Sequence, residues 1–314
     1  MRYAWLLIAG CLLVAVAAEG AARWALTRVS RIERRTADEY RLARTIGADD
    51  CGLSHVLFVG NSLLEEDVQF DRVREALAAQ WDARRFVVEQ TYYYDWYYGL
   101  RRLFREGARP DLVIVMLSAR QWIHDGMRGD YSARYLVSTP DLPAAVGELG
   151  LNATLATNMV AAHLSQFWGA RAEMRNFVLR RLLPELGRLM NFSSVIDPRP
   201  LTDVDVEPIA TARIERLRSL AGSYGARLVV LVPVLLDSRG GNGGLGLMRA
   251  TRAARVATIM PAENGSFPRH LYRDAGLHLN PTGATAFTEV LIPALRSELA
   301  VAGARDKVSS TTPR

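Results

Sequence analysis

The chain begins with an uncharged, mostly apolar run from Tyr3 to Ala18, closed by Glu19 and followed by a second apolar patch that Arg23 interrupts. A run of this kind suits a signal-peptide core or a membrane anchor, and Ala15-Val16-Ala17 offers the small residues of a cleavage site. The preferred reading is an uncleaved anchor over residues 1–25. Residues 26–50 then form a juxtamembrane helix, because Arg28 to Arg44 interleaves arginines with Glu33, Asp38 and Glu39 as a solvated helix does; contact with anionic lipid headgroups is the sharper alternative. Arg23, Arg28, Arg31, Arg34 and Arg35 follow the run whereas only Arg2 and the amino terminus precede it, so loop charge leaves the orientation open. Ile8-Ala9-Gly10-Cys11 imitates a lipobox, yet the apolar run continues past the cysteine, as in a chance match.

From Ser54 onward short apolar runs alternate with helical spacing, the pattern of a parallel sheet covered on both faces. His55–Val59 predicts a buried strand that ends in Gly60-Asn61-Ser62, and Val68 to Trp81 predicts a helix. Phe86–Glu89 predicts a second strand, Tyr97–Glu106 a helix, and Leu112–Leu117 a central strand, since its apolar run is unbroken. From about residue 121 to 205 the pattern turns mainly helical, with breaks at Pro140, Pro143, Pro184 and Asp197-Pro198-Arg199-Pro200; this segment is expected as an insertion over the crevice. Ile209–Tyr224 predicts a helix ended by Gly225, Arg227–Val232 a further strand, and Thr282–Leu299 a closing amphipathic helix. The domain is thus expected over 51–303, with a frayed tail at 304–314.

Composition narrows the classes. Among 314 residues, 49% are hydrophobic and the net charge is only +6, which suits a folded core and excludes a disordered chain. Two cysteines cannot make a disulfide scaffold or a cysteine zinc site; no cofactor is expected, and no metal. The positive balance is carried by scattered arginines, with Lys307 the single lysine, and no basic stripe or recognition module argues for nucleic acid. Gly240-Gly241-Asn242-Gly243-Gly244 lacks the strand-to-helix context and the lysine of a phosphate-binding loop.

In an open parallel sheet, functional groups gather where strands end and helices begin. Ser62 occupies that place after the first strand. Its hydroxyl needs a base within hydrogen-bond reach, and the base needs a third group to fix its tautomer; His278 and Asp274 are candidates for these two roles. The competing reading makes Ser62 a helix N-cap and His278 a core or capping histidine.

Val59-Gly60-Asn61-Ser62 resembles the first motif of the SGNH/GDSL hydrolase superfamily, with Asn61 where Gly-Asp-Ser has Asp. Tyr272-Arg273-Asp274-Ala275-Gly276-Leu277-His278-Leu279-Asn280-Pro281-Thr282-Gly283-Ala284 is similar to its last motif, with one more residue between Asp274 and His278 than the usual Asp-x-x-His. The resemblance extends over Ser54 to Leu299. It implies a three-layer, flavodoxin-like α/β domain and a Ser62–His278–Asp274 triad. The family's oxyanion donors are the nucleophile's own N–H, a Gly after the second strand and an Asn after the third. Here the second-strand loop reads Gln90-Thr91-Tyr92-Tyr93-Tyr94 and the third is followed by Ser118-Ala119-Arg120, so the Tyr93 or Tyr94 N–H and the Arg120 guanidinium stand in those places; for Arg120 a structural salt bridge is the alternative.

The resemblance implies ester hydrolysis or O-acyl transfer on short acyl esters, acetyl among them, and on cell-envelope glycans if the anchored domain is extracytoplasmic, in the periplasm or at the cell surface. A non-catalytic glycan- or partner-binding module and a membrane-surface scaffold are the other classes. Tyr92, Tyr93, Tyr94, Trp96, Tyr97 and Tyr98 form a dense aromatic cluster that suits either sugar stacking or core packing. His55, His124 and His163 lack metal-ligand spacing and read as structural. Asn152, Asn191 and Asn264 open glycosylation triplets short enough to arise by chance.

Overall fold

The chain forms a five-stranded, wholly parallel sheet in which β2 (Trp81–Val87), β1 (Ser54–Gly60), β3 (Leu112–Met116), β4 (Arg227–Leu231) and β5 (Ala257–Ile259) lie side by side in that order. The predicted runs 55–59, 112–117 and 227–232 supply β1, β3 and β4, whereas the second strand starts at Trp81 and ends at Val87 rather than spanning Phe86–Glu89. The computed structural model describes residues 2–48, 52–183, 201–236, 243–262, 265–273 and 276–310. In chain order the elements are α1 (Arg2–Val29), α2 (Arg31–Arg44), β1 (Ser54–Gly60), α3 (Ser62–Asp67), α4 (Phe70–Leu77), β2 (Trp81–Val87), α5 (Tyr93–Arg105), β3 (Leu112–Met116) and α6 (Ala119–Ile123). A helical stretch follows with α7 (Asp130–Tyr135), α8 (Leu142–Glu148), α9 (Ala153–Leu164), α10 (Gln166–Gly169) and α11 (Arg171–Leu182). The chain then returns to the sheet through α12 (Asp203–Ser223), β4 (Arg227–Leu231), α13 (Gly244–Ala253), β5 (Ala257–Ile259) and α14 (Pro281–Ser310).

The chain divides into two compact units. One comprises residues 39–125 and 200–314 and holds the sheet; the other comprises 1–38 and 126–199. In the sheet unit, side chains alternate across the strands. Val56, Phe58, Ile114, Met116, Val229 and Leu231 pack with Leu63, Val73, Phe287, Leu291 and Leu295 of α3, α4 and α14. On the opposite face Val113, Val115 and Val230 are equally buried, and α12 packs against β4 and α13 against β5. This is the parallel sheet covered on both faces that the alternation predicts, and the three-layer, flavodoxin-like arrangement that the resemblance implies. Each fully buried Leu, Val or Phe stabilises it by roughly 1.5–3 kcal/mol.

Several elements differ from expectation for physical reasons. Of the helix predicted from Val68 to Trp81 only Phe70–Leu77 (α4) is helical; Val68 ends the preceding helix α3, and Trp81 already lies in β2. That strand carries Asp82, Arg84 and Arg85 on the sheet edge, where Arg84 binds Asp82 and Arg85 binds Glu39 and Glu65 at 2.8, 2.8 and 3.0 Å, so its polar composition conceals it. β5 has three residues and borders the sheet, too short to show as an apolar run. The closing helix, expected over Thr282–Leu299, runs from Pro281 to Ser310. Pro184, Asp197–Pro200, Asn191, Asn264 and most of the Gly240–Gly244 loop lie outside the described residues.

Two acids expected on a solvated helix are buried. In the helical unit Glu33 of α2 is 4% exposed; it accepts a hydrogen bond from Tyr135 and pairs with Arg134 at 2.8 Å. In the sheet unit Glu39 accepts from the Val87 N–H at 2.9 Å and pairs with Arg85. Arginine partners offset the cost of removing these carboxylates from water.

Candidate active site

β1 ends at Gly60 against its neighbour β3. A side chain there would place Cβ 2.7 Å from the Met116 carbonyl, so the close approach of the two strands requires glycine. Asn61, fully buried and extended, then opens α3: its Oδ1 accepts from the Leu63 N–H at 3.1 Å and its Nδ2 donates to the Thr91 carbonyl at 2.9 Å. Thr91 Oγ1 in turn donates to the Val88 carbonyl at 2.6 Å and accepts from Trp96 Nε1 at 2.9 Å. The loops after β1 and β2 are thereby tied through a buried polar chain.

Because Asn61 is the N-cap, Ser62 is the first helical residue, and the reading of Ser62 as the cap is corrected. Its Oγ lies 3.0 Å from Nε2 of His278. The two residues are separated by 216 positions in the chain, and both are partly buried.

The segment bearing His278 is fastened on several sides. Tyr272 and Leu279 form an antiparallel bridge, and the Arg273 N–H donates to the His278 carbonyl at 3.1 Å. Asn280 caps α14, accepting from the Gly283 N–H at 2.9 Å, while Pro281 begins the helix where no amide hydrogen is needed. Asp67, fully buried at the end of α3, accepts from the Leu279 N–H at 2.9 Å. Glu66 pairs with Arg273, so the helix that begins with Ser62 grips the histidine segment at both of its flanks. Asp274, the expected orienting carboxylate, lies outside the described residues.

The oxyanion candidates occupy the neighbouring strand ends. Tyr93 is the first residue of α5, where backbone N–H groups lack intrahelical acceptors, and its side chain is buried. Gln90 before it has φ +57°, a left-handed conformation that glycine adopts most readily, in a loop where the resembled family has a glycine. Arg120 is half-buried in the first turn of α6, whose cap Ser118 exchanges hydrogen bonds with Gln121 at 2.8 and 3.3 Å.

Most of the aromatic cluster is core. Trp96, Tyr93, Tyr98 and Tyr97 are buried, leaving Tyr92 and Tyr94 partly exposed, and Tyr92 stacks on His124 at 3.9 Å between centroids. Arg213 sits over Tyr93 and Tyr94 while donating to the Trp122 and His124 carbonyls at 2.8 and 3.0 Å, a packing role. His163 bonds the Ala133 carbonyl and Thr139, both at 2.8 Å, and His55 lies 3.5 Å from Asp111. No group of three or more potential metal ligands occurs among the described residues. Surface grooves of about 520 Å³ along Val204–Glu215 and about 350 Å³ beside His55 and Trp81 are lined by neither Ser62 nor His278.

The sheet connects outward from β1 in both directions, to β2 on one side and β3 on the other, so the crevice beyond their carboxyl ends is a topological switch point. Ser62 is there. A hydroxyl and an imidazole nitrogen at 3.0 Å have the separation that proton transfer requires.

The local sequence does not single out Asp67. It ends an acid run of Glu65, Glu66 and Asp67, and only the packing of α3 against the histidine segment separates the buried acid from its neighbours.

Among solved structures the chain is similar to TesA, with 11% identity over 78% of this chain and 99% of that one and a TM-score of 0.39. It is also similar to a GDSL-like lipase from Bacteroides thetaiotaomicron, with 10% identity over 85% of this chain and 98% of that one and a TM-score of 0.41. No family model and no curated protein matches the chain.

Proposed function

We propose that the protein is a serine-dependent ester hydrolase or O-acyltransferase of the SGNH/GDSL type, acting on short acyl esters such as acetyl esters of cell-envelope glycans. The observation that carries this reading is the 3.0 Å separation of Ser62 Oγ and His278 Nε2 at the switch-point edge of the sheet. In this mechanism Ser62 Oγ bonds to the ester carbonyl carbon as its proton passes to His278 Nε2. The tetrahedral adduct then expels the alcohol, which takes the proton back from His278. Water or a second hydroxyl attacks the acyl-serine by the same steps in reverse, releasing acid or transferring the acyl group. Asp274 orients the imidazole and stabilises its cation, and the Ser62 and Tyr93 N–H groups with Arg120 hold the oxyanion.

The test is labelling of the full-length protein by a fluorophosphonate together with hydrolysis of an activated acetyl ester. Wild type labels at Ser62; Ser62→Ala and His278→Ala each lose on the order of 10⁴–10⁶-fold in turnover, and the double variant little more. Full activity in Ser62→Ala refutes the mechanism. A folded wild type that neither labels nor turns over supports instead a non-catalytic binding module.

The envelope assignment rests on α1, whose Arg2–Leu26 segment is long and apolar enough to cross a membrane. A C-terminal alkaline phosphatase fusion is expected to be active and a cytoplasmic reporter silent. The reverse pattern removes the envelope substrate without touching the chemistry.

A further inference from the structure

Glu19 joins the apolar helix to the helical unit. Its carboxylate accepts from the Ser165 hydroxyl at 2.8 Å and from the Gln166 and Phe167 N–H groups at 3.0 and 3.1 Å, at the start of α10, and pairs with Arg23 at 2.9 Å. Above it, residues 2–17 of α1 are exposed throughout; below it, Ala22 and Leu26 are buried. The point at which α1 leaves the unit is therefore set within about one helical turn of Glu19.

That point lies close to the edge of any bilayer α1 enters. Of the Arg2–Leu26 span, Glu19 and the buried Ala22 and Leu26 are held by the helical unit, so the part free to enter a bilayer is the uncharged stretch Tyr3–Ala18, about 24 Å long at ~1.5 Å per residue, whereas a hydrocarbon core is about 30 Å thick. The shortfall of about 6 Å draws the Glu19 level, and α10 with it, into the headgroup layer. Surface chemistry at this level agrees. Leu164, Phe167 and Trp168 are exposed by 71%, 42% and 39%, and Trp24, one turn beyond Glu19, by 59%. The Arg171 guanidinium lies 4.7 Å above the Trp168 ring and that of Arg28 5.6 Å from Trp24. Tryptophan and arginine together, around an apolar edge, suit the boundary between acyl chains and phosphates.

We propose that Leu164, Phe167 and Trp168 form a second membrane contact, seated in the headgroup layer of a phospholipid bilayer beside the point where α1 enters it. The proposal rests on α1 being a membrane anchor, and the four hydrogen bonds of Glu19 keep its charge satisfied at a level where an unpaired carboxylate is costly.

The experiment places an environment-sensitive fluorophore on single cysteines of the full chain reconstituted in vesicles of phosphatidylcholine and phosphatidylglycerol. Native Cys11, exposed on α1, reports the anchor in a Cys51→Ser background. Phe167→Cys and, separately, Leu164→Cys report the edge in a Cys11→Ser, Cys51→Ser background. The expected result is several-fold quenching at positions 167 and 164 by lipid spin-labelled near the headgroup, with little quenching by aqueous iodide, and quenching at Cys11 by lipid labelled at mid-chain. Quenching at Cys11 with iodide-accessible labels at 164 and 167 overturns the proposal and leaves the anchor intact. Labels at 164 and 167 shielded from both quenchers also overturn it, because a protein surface then covers the edge. Iodide access at Cys11 refutes the anchor itself.

Discussion

Asn61 replaces the aspartate of the resembled Gly-Asp-Ser motif, and Asn61→Asp tests why. Asn61 uses its two side-chain ends differently: Oδ1 accepts from the Leu63 N–H, and Nδ2 donates to the Thr91 carbonyl at 2.9 Å, with no solvent access. A carboxylate keeps the first bond and gains about 0.3–1 kcal/mol from the helix N-terminus. It loses the second, worth about 1 kcal/mol, and leaves a buried carbonyl facing an oxygen anion, a penalty of about 1–3 kcal/mol. The net expectation is destabilisation by about 2 kcal/mol at neutral pH, a fall of roughly 4–8 °C in Tm for a domain of this size. The loss should depend on pH in a definite direction. Burial and the facing carbonyl raise the introduced carboxyl's folded pKa above its unfolded value, so the protonated form, which donates to Thr91, restores stability below the ordinary carboxylate range; that stability disappears as pH rises through the folded pKa. Asn61→Ala loses both bonds and has no such recovery. Unfolding midpoints in mild detergent near pH 7 and pH 4 measure both variants against wild type. An Asn61→Asp protein as stable as wild type at neutral pH, or equally destabilised at both pH values, refutes the assignment of Nδ2 to Thr91.

Asp67→Ala should lower ester turnover by about 10²-fold through misplacement of the His278 segment, while Asp67→Asn, which still offers Leu279 a carbonyl, recovers most of it; equal losses in the two variants contradict a positioning role. Arg120→Ala should fold normally and turn over roughly 10²–10³-fold more slowly if its guanidinium faces the oxyanion, whereas a lowered Tm without a kinetic loss marks a structural ion pair. Gly283→Ala sets a methyl inside van der Waals contact of the Leu271 carbonyl and should cost about 1–3 kcal/mol as well as activity, read by paired Tm and turnover measurements; an unchanged Tm contradicts the close packing of α14 on that segment. Burial works to raise the Glu106 pKa, but hydrogen bonds from Arg102 and Tyr40 and the charges of Arg102 and Arg44 outweigh it and hold the carboxyl below its ordinary value. The contact therefore stabilises above the ordinary carboxylate pKa and is lost as pH falls through the folded one, so the Tm difference between wild type and Glu106→Gln should be largest at neutral pH and close on acidification.

The central architecture is legible in the chain because β1, β3 and β4 are buried on both faces and must therefore be continuously apolar. Their spacing, with helices between, requires a parallel sheet. The placement of Ser62 after the first such run follows from the same reading. What escapes it has mixed or short sequences: β2, whose Arg84 and Arg85 reach the Leu42 carbonyl, Glu39 and Glu65 elsewhere in the chain, and β5, whose three residues carry too little pattern. Only tertiary structure decides that Asn61 rather than Ser62 caps α3, since both are good caps and the choice depends on Thr91. It also decides that Asp67 is the acid holding the histidine segment and that the tyrosine cluster is largely core, because neither burial nor a partner 212 residues away leaves a local mark. Local patterns set which residues must leave water; the contacts among distant segments set which polar group meets which.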